Sequence, residues 1–236
     1  MSVFKAATVQ MRSGLDPARN AADFEALVRE AAGRGASYVQ SPEMTGALVR
    51  DRETLRRIVK DEAGDLLVAA ARRLSAELQI AIHLGSTAIA LPGGKVANRA
   101  FLFDRAGALV ATYDKIHMFD VDLDKGESWR ESATYQPGGR AVVATLAGVP
   151  FGLAICYDLR FPQLFRAQAL AGAAVLSAPA AFTRQTGQAH WHVLTRARAI
   201  ENGAWLIAAA QGGLHEDGRE TFGHSVIVDP WGVVVA

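Results

Sequence analysis

Short apolar runs alternate with longer amphipathic stretches along the whole of this 236-residue chain. The short runs have the composition of buried strands, and the longer stretches have apolar residues at helical spacing. Strands that alternate with helices build layered α/β folds. The pattern therefore predicts an α/β protein. Because no tandem repeat or linker interrupts the pattern, we expect residues 1–236 to form a single domain.

The predicted strands and helices show where each strand ends, and reactive side chains can lie at those ends. The predicted strands are 3–10, 37–41, 80–90, 98–104, 109–113, 141–145, 149–155, 173–177, 205–210 and 225–228, and the predicted helices are 18–33, 51–59, 63–77, 161–171 and 190–202. A turn at 91–95 makes the following strands a meander, so mixed pairing is expected. Residues 115–139 lack periodicity and predict an ordered loop that forms a binding wall.

Composition excludes several classes of function. The net charge is +1 and the basic residues are scattered, so the chain has no basic patch for nucleic acid. Charged or glycine residues interrupt each apolar stretch before the roughly 20 residues that cross a bilayer, and no membrane partner is expected. The single cysteine cannot form an internal disulfide, and the first residues lack a signal-peptide pattern. We therefore expect a cytoplasmic protein.

Three side chains with chemical potential each follow a predicted strand. Glu43 follows the second strand, Lys115 the fifth and Cys156 the seventh. The carboxyl ends of neighbouring strands meet at one edge of an open α/β sheet, where reactive groups are commonly placed. A carboxylate, an ammonium and a thiol would then converge on one site.

That combination suits covalent catalysis by a thiol. A thiol is mostly protonated at neutral pH, so it needs a base to accept its proton and a cation to favour the thiolate. Glu43 can be the base and Lys115 the cation, and Lys115 can also donate to an oxyanion as it develops. The alternative for Cys156 is a buried, inert residue, because free cysteines often act as small hydrophobes.

The motifs around these residues resemble the nitrilase, or carbon–nitrogen hydrolase, superfamily. They are Ser-Pro-Glu-Met around Glu43, Tyr-Asp-Lys-Ile-His-Met-Phe-Asp around Lys115, Ala-Ile-Cys-Tyr-Asp-Leu-Arg-Phe-Pro around Cys156, Trp-Arg-Glu-Ser around Glu131, Gly-Gln-Ala-His-Trp at 187–191 and Gly-His-Ser-Val-Ile-Val-Asp-Pro-Trp-Gly at 223–232. The resemblance covers almost the whole chain. Within the superfamily the motifs are most similar to the branch of deaminated glutathione amidase and omega-amidase.

The resemblance implies a four-layer αββα sandwich, a homodimer or higher homo-oligomer, and no metal or organic cofactor. It implies that Cys156 attacks an amide and forms a thioester, that Glu43 is the base, and that Lys115 and the Tyr157 backbone N–H bind the oxyanion. Glu131 matches a second glutamate that orients the lysine or the substrate. An exposed, solvated carboxylate is the alternative for Glu131.

The same branch implies a small carboxylate-bearing amide as substrate, for which Arg160 or Arg184 could supply a cation. An ion pair with Asp158 or with a neighbouring helix is the alternative for Arg160. Phe182 lines the pocket or belongs to the core. His190 is expected on the pocket wall, or as a hydrogen-bond partner of a residue there.

Several alternatives stay open at this point. The activity could be that of an omega-amidase, an N-carbamoyl amino acid hydrolase or a nitrilase, or the chain could be a catalytically silent interaction module. The histidines do not have metal-ligand spacing, since residues two apart on a helix point to different faces. Relatives usually continue beyond the position of Ala236, so we expect a C-terminal tail to be absent from this sequence.

Overall fold

Two five-stranded sheets face each other in the computed structural model, which describes residues 4–122 and 128–236. The strands are β1 (Ala6–Thr8), β2 (Tyr38–Gln40), β3 (Ala81–Ala90), β4 (Val96–Phe103), β5 (Leu109–Asp114), β6 (Asp120–Asp122), β7 (Ser128–Arg130), β8 (Val142–Leu146), β9 (Val149–Leu153), β10 (Val175–Ser177), β11 (Trp205–Ala208), β12 (Gly212–Leu214), β13 (Glu220–Phe222) and β14 (Val226–Val228). The helices are α1 (Pro17–Gly33), α2 (Arg52–Ile58), α3 (Leu66–Leu78), α4 (Pro162–Leu170) and α5 (Arg184–Asn202).

Each sheet combines three parallel strands with two antiparallel ones, which lie on one side of the parallel strands in the first sheet and on both sides in the second. The first has the order β1-β2-β3-β4-β5, with β1, β2 and β3 parallel. The second has the order β14-β11-β10-β9-β8, with β9, β10 and β11 parallel. Mixed pairing, as predicted from the meander, is therefore present in both sheets.

Helices cover the outer face of each sheet. Phe24 of α1 and Leu74 of α3 are fully buried against the first sheet, and Trp191 of α5 is buried against the second. The inner faces of the two sheets meet where Tyr38 of β2 stacks on Phe151 of β9, with ring centroids 5.2 Å apart. The layers are thus helix, sheet, sheet and helix, which confirms the predicted αββα sandwich.

Side-chain caps explain where the helices begin. Asp16, Asp51 and Asp65 each accept a hydrogen bond from the first turn of α1, α2 and α3. Thr183 caps α5 in the same way, so that helix begins at Arg184 and not at the predicted residue 190. Polar residues fill the first turns of α5, and apolar periodicity therefore does not reveal them.

The long segment at 115–139 is more regular than predicted. β6 pairs antiparallel with β7, and a short 3-10 helix, Glu131–Ala133, follows. Part of the predicted loop, residues 123–127, lies outside the described residues. Within the described part of the chain, no helix is both long enough and apolar enough to cross a membrane.

Candidate active site

Glu43, Lys115 and Cys156 meet where their three strands end. Lys115 comes directly after β5, and Cys156 begins a short 3-10 helix (Cys156–Arg160) beyond β9. Cys156 has a left-handed backbone with φ 50°, and Met44, the residue after Glu43, has φ 54°. Such backbones are costly for residues other than glycine and are often found at functional sites. The Cys156 backbone N–H is held by the Pro179 carbonyl at 2.9 Å.

Gly85 lets the segment that carries Glu43 approach the segment around Pro179, whose carbonyl holds the Cys156 N–H. It lies in β3 between Leu84 and Thr87, where the pairing with β4 shifts register. A Cβ atom at Gly85 would be 2.0 Å from the Ser41 carbonyl oxygen and 2.5 Å from Pro179 Cβ. Only a residue without a side chain leaves room for both segments.

The Lys115 ammonium lies between two carboxylates. Its Nζ donates to Glu43 Oε1 at 2.8 Å and to Glu131 Oε2 and Oε1 at 2.8 and 3.0 Å. The side chain is only 2% exposed. Burial lowers the pKa of Lys115, but Glu131 and Glu43 more than offset that effect and raise the pKa well above its usual value. Lys115 therefore stays charged.

Both carboxylate oxygens of Glu43 accept hydrogen bonds. Oε1 accepts from Asn98 Nδ2 at 2.9 Å as well as from Lys115, and Oε2 accepts from the Ala181 backbone N–H at 2.9 Å. Burial raises the pKa of Glu43, but the Lys115 charge and hydrogen bonds from Cys156, Lys115 and Asn98 outweigh it and lower the pKa. Glu43 is therefore an ionised carboxylate that can accept a proton.

The Cys156 sulfur is a thiol at rest. Burial and then the Glu43 carboxylate raise its pKa well above the usual value, and Lys115 offsets this only in part. The interaction with Glu43 is part of that increase in pKa. The site thus holds a protonated thiol near an ionised carboxylate, which can accept the proton as the sulfur attacks.

Asp158 ties the 3-10 helix that follows Cys156 to the strand that carries Lys115. Its carboxylate accepts from Tyr113 Oη at 2.7 Å, from the Ile155 N–H at 2.9 Å and from the His117 N–H at 3.0 Å. His117 Nδ1 lies 2.7 Å from the same carboxylate. Asp158 is fully buried in this network, and no contact with Arg160 is present, contrary to the alternative considered from the sequence.

A cavity of about 270 Å³ opens above the thiol. Glu43, Lys115, Glu131 and Cys156 all line it. Its other lining side chains are mostly aromatic or cationic: Phe119, Trp129, Tyr135, Tyr157, Phe182, Arg50, Arg52, Arg130, Arg160 and Arg219. A pocket with this lining suits a small, partly apolar anion.

Three of the five predicted substrate residues line this cavity: Tyr157, Arg160 and Phe182. The Arg160 guanidinium lies over the rings of Tyr157 and Phe182, at 5.7 and 5.5 Å. Arg160 forms no ion pair with any described acidic residue. In the described part of the chain, the Tyr157 N–H donates to no carbonyl, so it is available to an oxyanion.

Arg184 and His190 do not line the cavity. Arg184 Nη1 donates to Glu220 Oε1 at 2.5 Å on the exposed surface. His190 is also exposed, and its Nδ1 lies 3.2 Å from Arg160 Nη2. Thr186 of α5 is buried and lines the cavity, whereas Arg184 and His190 of the same helix are exposed. Arg184 therefore lies outside the cavity wall, whereas His190 contacts a wall residue, Arg160.

Sequence reasoning missed Asn98 and Arg219. Asn98 Nδ2 donates to Glu131 Oε1 at 3.3 Å as well as to Glu43. The backbone carbonyl oxygen of Asn98 accepts a hydrogen bond from the Lys115 backbone N–H. The pairing of β4 with β5 places Asn98 beside Lys115, but its register depends on a bulge that the sequence does not reveal. Arg219 lies in the turn between β12 and β13, and no sequence signal connects it with the cavity.

Metal-ligating side chains do not cluster in the residues that the structure describes: no three His, Cys, Asp or Glu are grouped to hold an ion. The arrangement instead combines a thiol, an adjacent carboxylate and an ammonium. Groups of these kinds can act as nucleophile, proton acceptor and oxyanion donor in hydrolysis through a thioester.

Comparison with known proteins identifies the family. The family model for carbon-nitrogen hydrolase matches residues 5–236. The deaminated glutathione amidase of Yersinia enterocolitica is 39% identical over 97% of this chain and 80% of its own length, and that of Homo sapiens is 41% identical over 98% and 72%. The crystal structure of the C. elegans NitFhit protein has a TM-score of 0.88 at 32% identity and covers the whole chain, which spans 58% of that protein. The chain belongs to the carbon–nitrogen hydrolase family.

Proposed function

We propose that this enzyme hydrolyses the amide bond of a small carboxylate-bearing amide through a Cys156 thioester, with deaminated glutathione as the first candidate substrate. Relatives of that name support the substrate class. The observation that carries the proposal is Arg160, which lines the cavity that contains the thiol and has no acidic partner among the described residues. Arginine binds carboxylates through two parallel hydrogen bonds.

In the first half of the reaction, Cys156 attacks the amide carbon while Glu43 accepts the thiol proton. The carbonyl oxygen becomes an oxyanion that accepts hydrogen bonds from Lys115 Nζ and the Tyr157 N–H. Glu43 then gives its proton to the amide nitrogen, the carbon–nitrogen bond breaks, and the amine leaves. The acyl group remains on sulfur as a thioester.

In the second half, water takes the place of the amine. Glu43, an ionised carboxylate again, accepts a proton from water as the water oxygen attacks the thioester carbon. The carbon–sulfur bond breaks, and the proton held by Glu43 restores the thiol. The products are a carboxylic acid and free enzyme.

Glu131 positions Lys115 in this scheme. It accepts two hydrogen bonds from the ammonium and a third, at 2.7 Å, from the Phe119 N–H. We expect Glu131→Gln to keep the cavity but to loosen the ammonium and reduce kcat by about tenfold to 100-fold, as the partial loss of an oxyanion donor does.

A panel of amides tests the proposal. The purified enzyme should release amine or ammonia from carboxylate-bearing amides, deaminated glutathione included, and Cys156→Ala should release none. Turnover of nitriles or N-carbamoyl amino acids without turnover of these amides would contradict the proposal. An interaction module without activity is tested by mass spectrometry, since substrate should add an acyl mass to Cys156 that is absent in Cys156→Ala.

We also propose that residues 1–236 act as one domain, in the cytoplasm, within a homodimer. A reducing compartment suits an enzyme whose one cysteine must stay a thiol. Exposed apolar side chains support assembly, among them Val193 and Ile200 of α5 and Trp231, which is 85% exposed. Light scattering of the purified chain checks the mass, and a monomer would contradict the assembly.

A further inference from the structure

Two guanidinium groups lie against one tryptophan on the cavity wall. The Cζ atom of Arg219 is 4.3 Å from the centre of the Trp129 ring, and that of Arg50 is 4.9 Å from it. All three residues line the cavity that contains Cys156. Stacking on an aromatic face orients guanidinium groups while leaving their N–H donors free.

Neither cation is fully matched by an acidic partner. Arg50 is exposed and makes no hydrogen bond or ion pair with any residue that the structure describes. Arg219 has a side chain only 14% exposed, and its Nη2 is 3.4 Å from Asp217 Oδ2. Nevertheless, Arg219 Nε and Asp217 Oδ2 are both buried and have no hydrogen-bond partner among the described residues. A buried guanidinium with an unused donor is costly, and an anion would relieve that cost.

The pair belongs to the Glu43 side of the cavity. Arg219 lies within electrostatic range of Glu43 and Tyr135, and the Tyr135 hydroxyl contacts Met44 Sδ at 3.9 Å. Arg160, in contrast, lies over Tyr157 and Phe182, close to the residue that follows the thiol. The two groups of arginines therefore occupy different parts of the wall.

We propose that Arg50, Trp129 and Arg219 form a second anion subsite, which binds a carboxylate on the amine half of the substrate. This inference rests on the proposed amidase function. Glu43 must protonate the departing nitrogen, so the amine half lies on its side of the cavity. Arg160 is then left for a carboxylate on the acyl half. The preferred substrate carries one carboxylate on each side of the amide bond.

The charges of the cavity agree with a dianion. Glu43 and Glu131 share the single ammonium of Lys115, which leaves the arginines to act on the ligand. The Arg50 charge repels that of Arg219, and a carboxylate that accepts hydrogen bonds from both would offset that repulsion. A neutral amine half gains nothing from this subsite.

Two substrates that differ only in one carboxylate test this subsite separately from the rest of the cavity. The first is deaminated glutathione, and the second is the same molecule with its terminal glycine carboxylate converted to a primary amide. For Arg50→Gln we expect a KM for the first substrate that is about tenfold or more higher, with kcat little changed, and a KM for the second that is unchanged. Arg219→Lys, which keeps the charge but loses the planar donors, should act in the same direction.

Arg52→Gln is the matched control. Arg52 is exposed on the same wall, but its guanidinium does not lie over Trp129, so its removal should leave the ratio of the two KM values unchanged. An equal effect of Arg50→Gln on both substrates, no effect on either, or the same ratio change in Arg52→Gln would overturn the subsite.

A binding measurement separates this inference from the proposed function. Calorimetric titration of Cys156→Ala with the two amides needs no turnover. If wild-type enzyme cleaves neither amide, the proposed function is wrong, and the subsite is then decided by whether Arg50→Gln weakens binding of the dianion alone. If wild type cleaves both amides with equal KM, the subsite is wrong and the amidase stands.

Discussion

At the scale of single residues, the resting protonation of the site determines how the rate depends on pH. The pKa of Glu43 is lowered by Lys115 and its hydrogen bonds in spite of burial, and the pKa of Cys156 is raised by burial and by Glu43. The base is therefore ionised and the thiol protonated across neutral pH. We expect kcat/KM to be nearly flat from about pH 5.5 to about 8.5, because neither group titrates there.

Steady-state kinetics in overlapping buffers checks this profile. Below the flat range the rate should fall as Glu43 takes up a proton, at a pH under the usual glutamate value. A rate that increases about tenfold per pH unit through neutrality would instead indicate reaction through a pre-formed thiolate, and would contradict the resting state described.

Asn98 offers a second test at this scale. Its amide donates to both Glu43 and Glu131, and the hydrogen bond to Glu43 helps lower that pKa. Asn98→Leu keeps the volume and removes the donor. We expect the acid limb of kcat/KM to move up by as much as about one pH unit, and the plateau to fall about tenfold.

Asn202→Leu is the control for Asn98. Its amide donates to the Arg198 carbonyl within α5, and Asn202 does not line the cavity, so the pH profile should stay that of wild type. If Asn98→Leu lowers the rate without moving the acid limb, the Asn98 amide contributes to packing and not to the pKa of Glu43.

The positions of Glu43, Lys115 and Cys156 could be predicted because each follows an apolar run, and strand ends meet at a sheet edge. Asn98 could not be found in this way. Which side chains of β4 face the site depends on its register with β5, and that register shifts between Leu102 and Phe103. The polarity of a sequence does not reveal such a bulge.

At the scale of elements, the bulge in β3 is the feature that brings two segments into contact. We expect Gly85→Ala to destabilise the fold by about 3 kcal/mol or more, because its Cβ would overlap Ser41 and Pro179. The surviving folded protein should have a greatly reduced kcat, since these segments hold Glu43 and Cys156. Urea unfolding and kinetics at low temperature measure the two effects.

Gly33→Ala is the matched control for the bulge. Gly33 is the last residue of α1, its backbone is not left-handed, and nothing lies within 4 Å of an added Cβ. The substitution should stabilise the helix by up to about 1 kcal/mol and leave kcat unchanged. Equal effects of the two substitutions would mean that the close contact at Gly85 is unimportant.

Apolar periodicity in the sequence predicts the long helices but not the short hairpins. α1 and α3 follow their predicted ranges closely because an apolar stripe faces the sheet in each. The hairpins β6–β7 and β12–β13 were not predicted, since their strands have three residues each, too few for alternation to be visible. Arg219 lies in the turn of the second hairpin and lines the cavity.

At the scale of the whole molecule, a buried polar group joins the two sheets. Gln40 Oε1 accepts from the Ala209 N–H at 2.8 Å, and its Nε2 lies 3.2 Å from His83 Nδ1 and 3.3 Å from the Tyr38 hydroxyl. Gln40 is a buried polar residue at the end of β2. The structure explains it as a bridge between β2 and β11.

His83 in this group makes the stability of the molecule depend on pH. The ring is fully buried, and burial lowers its pKa to about 3 from 6.5. The unfolded chain takes up a proton below about pH 6.5, whereas the folded chain does not until about pH 3. Stability is therefore complete above the unfolded pKa and is lost as the pH falls, by about 2 kcal/mol between pH 7 and pH 5.

Urea unfolding of wild type and His83→Asn at pH 7 and pH 5 isolates this contribution from other titrating groups. The asparagine oxygen can take the place of Nδ1, and His83→Gln serves as a second variant if the first is too unstable. Wild type should lose about 2 kcal/mol more than either variant over this range. Equal losses in wild type and variants would mean that His83 gains a proton in the folded protein, and that water or a polar partner reaches its unpaired Nε2 between the sheets.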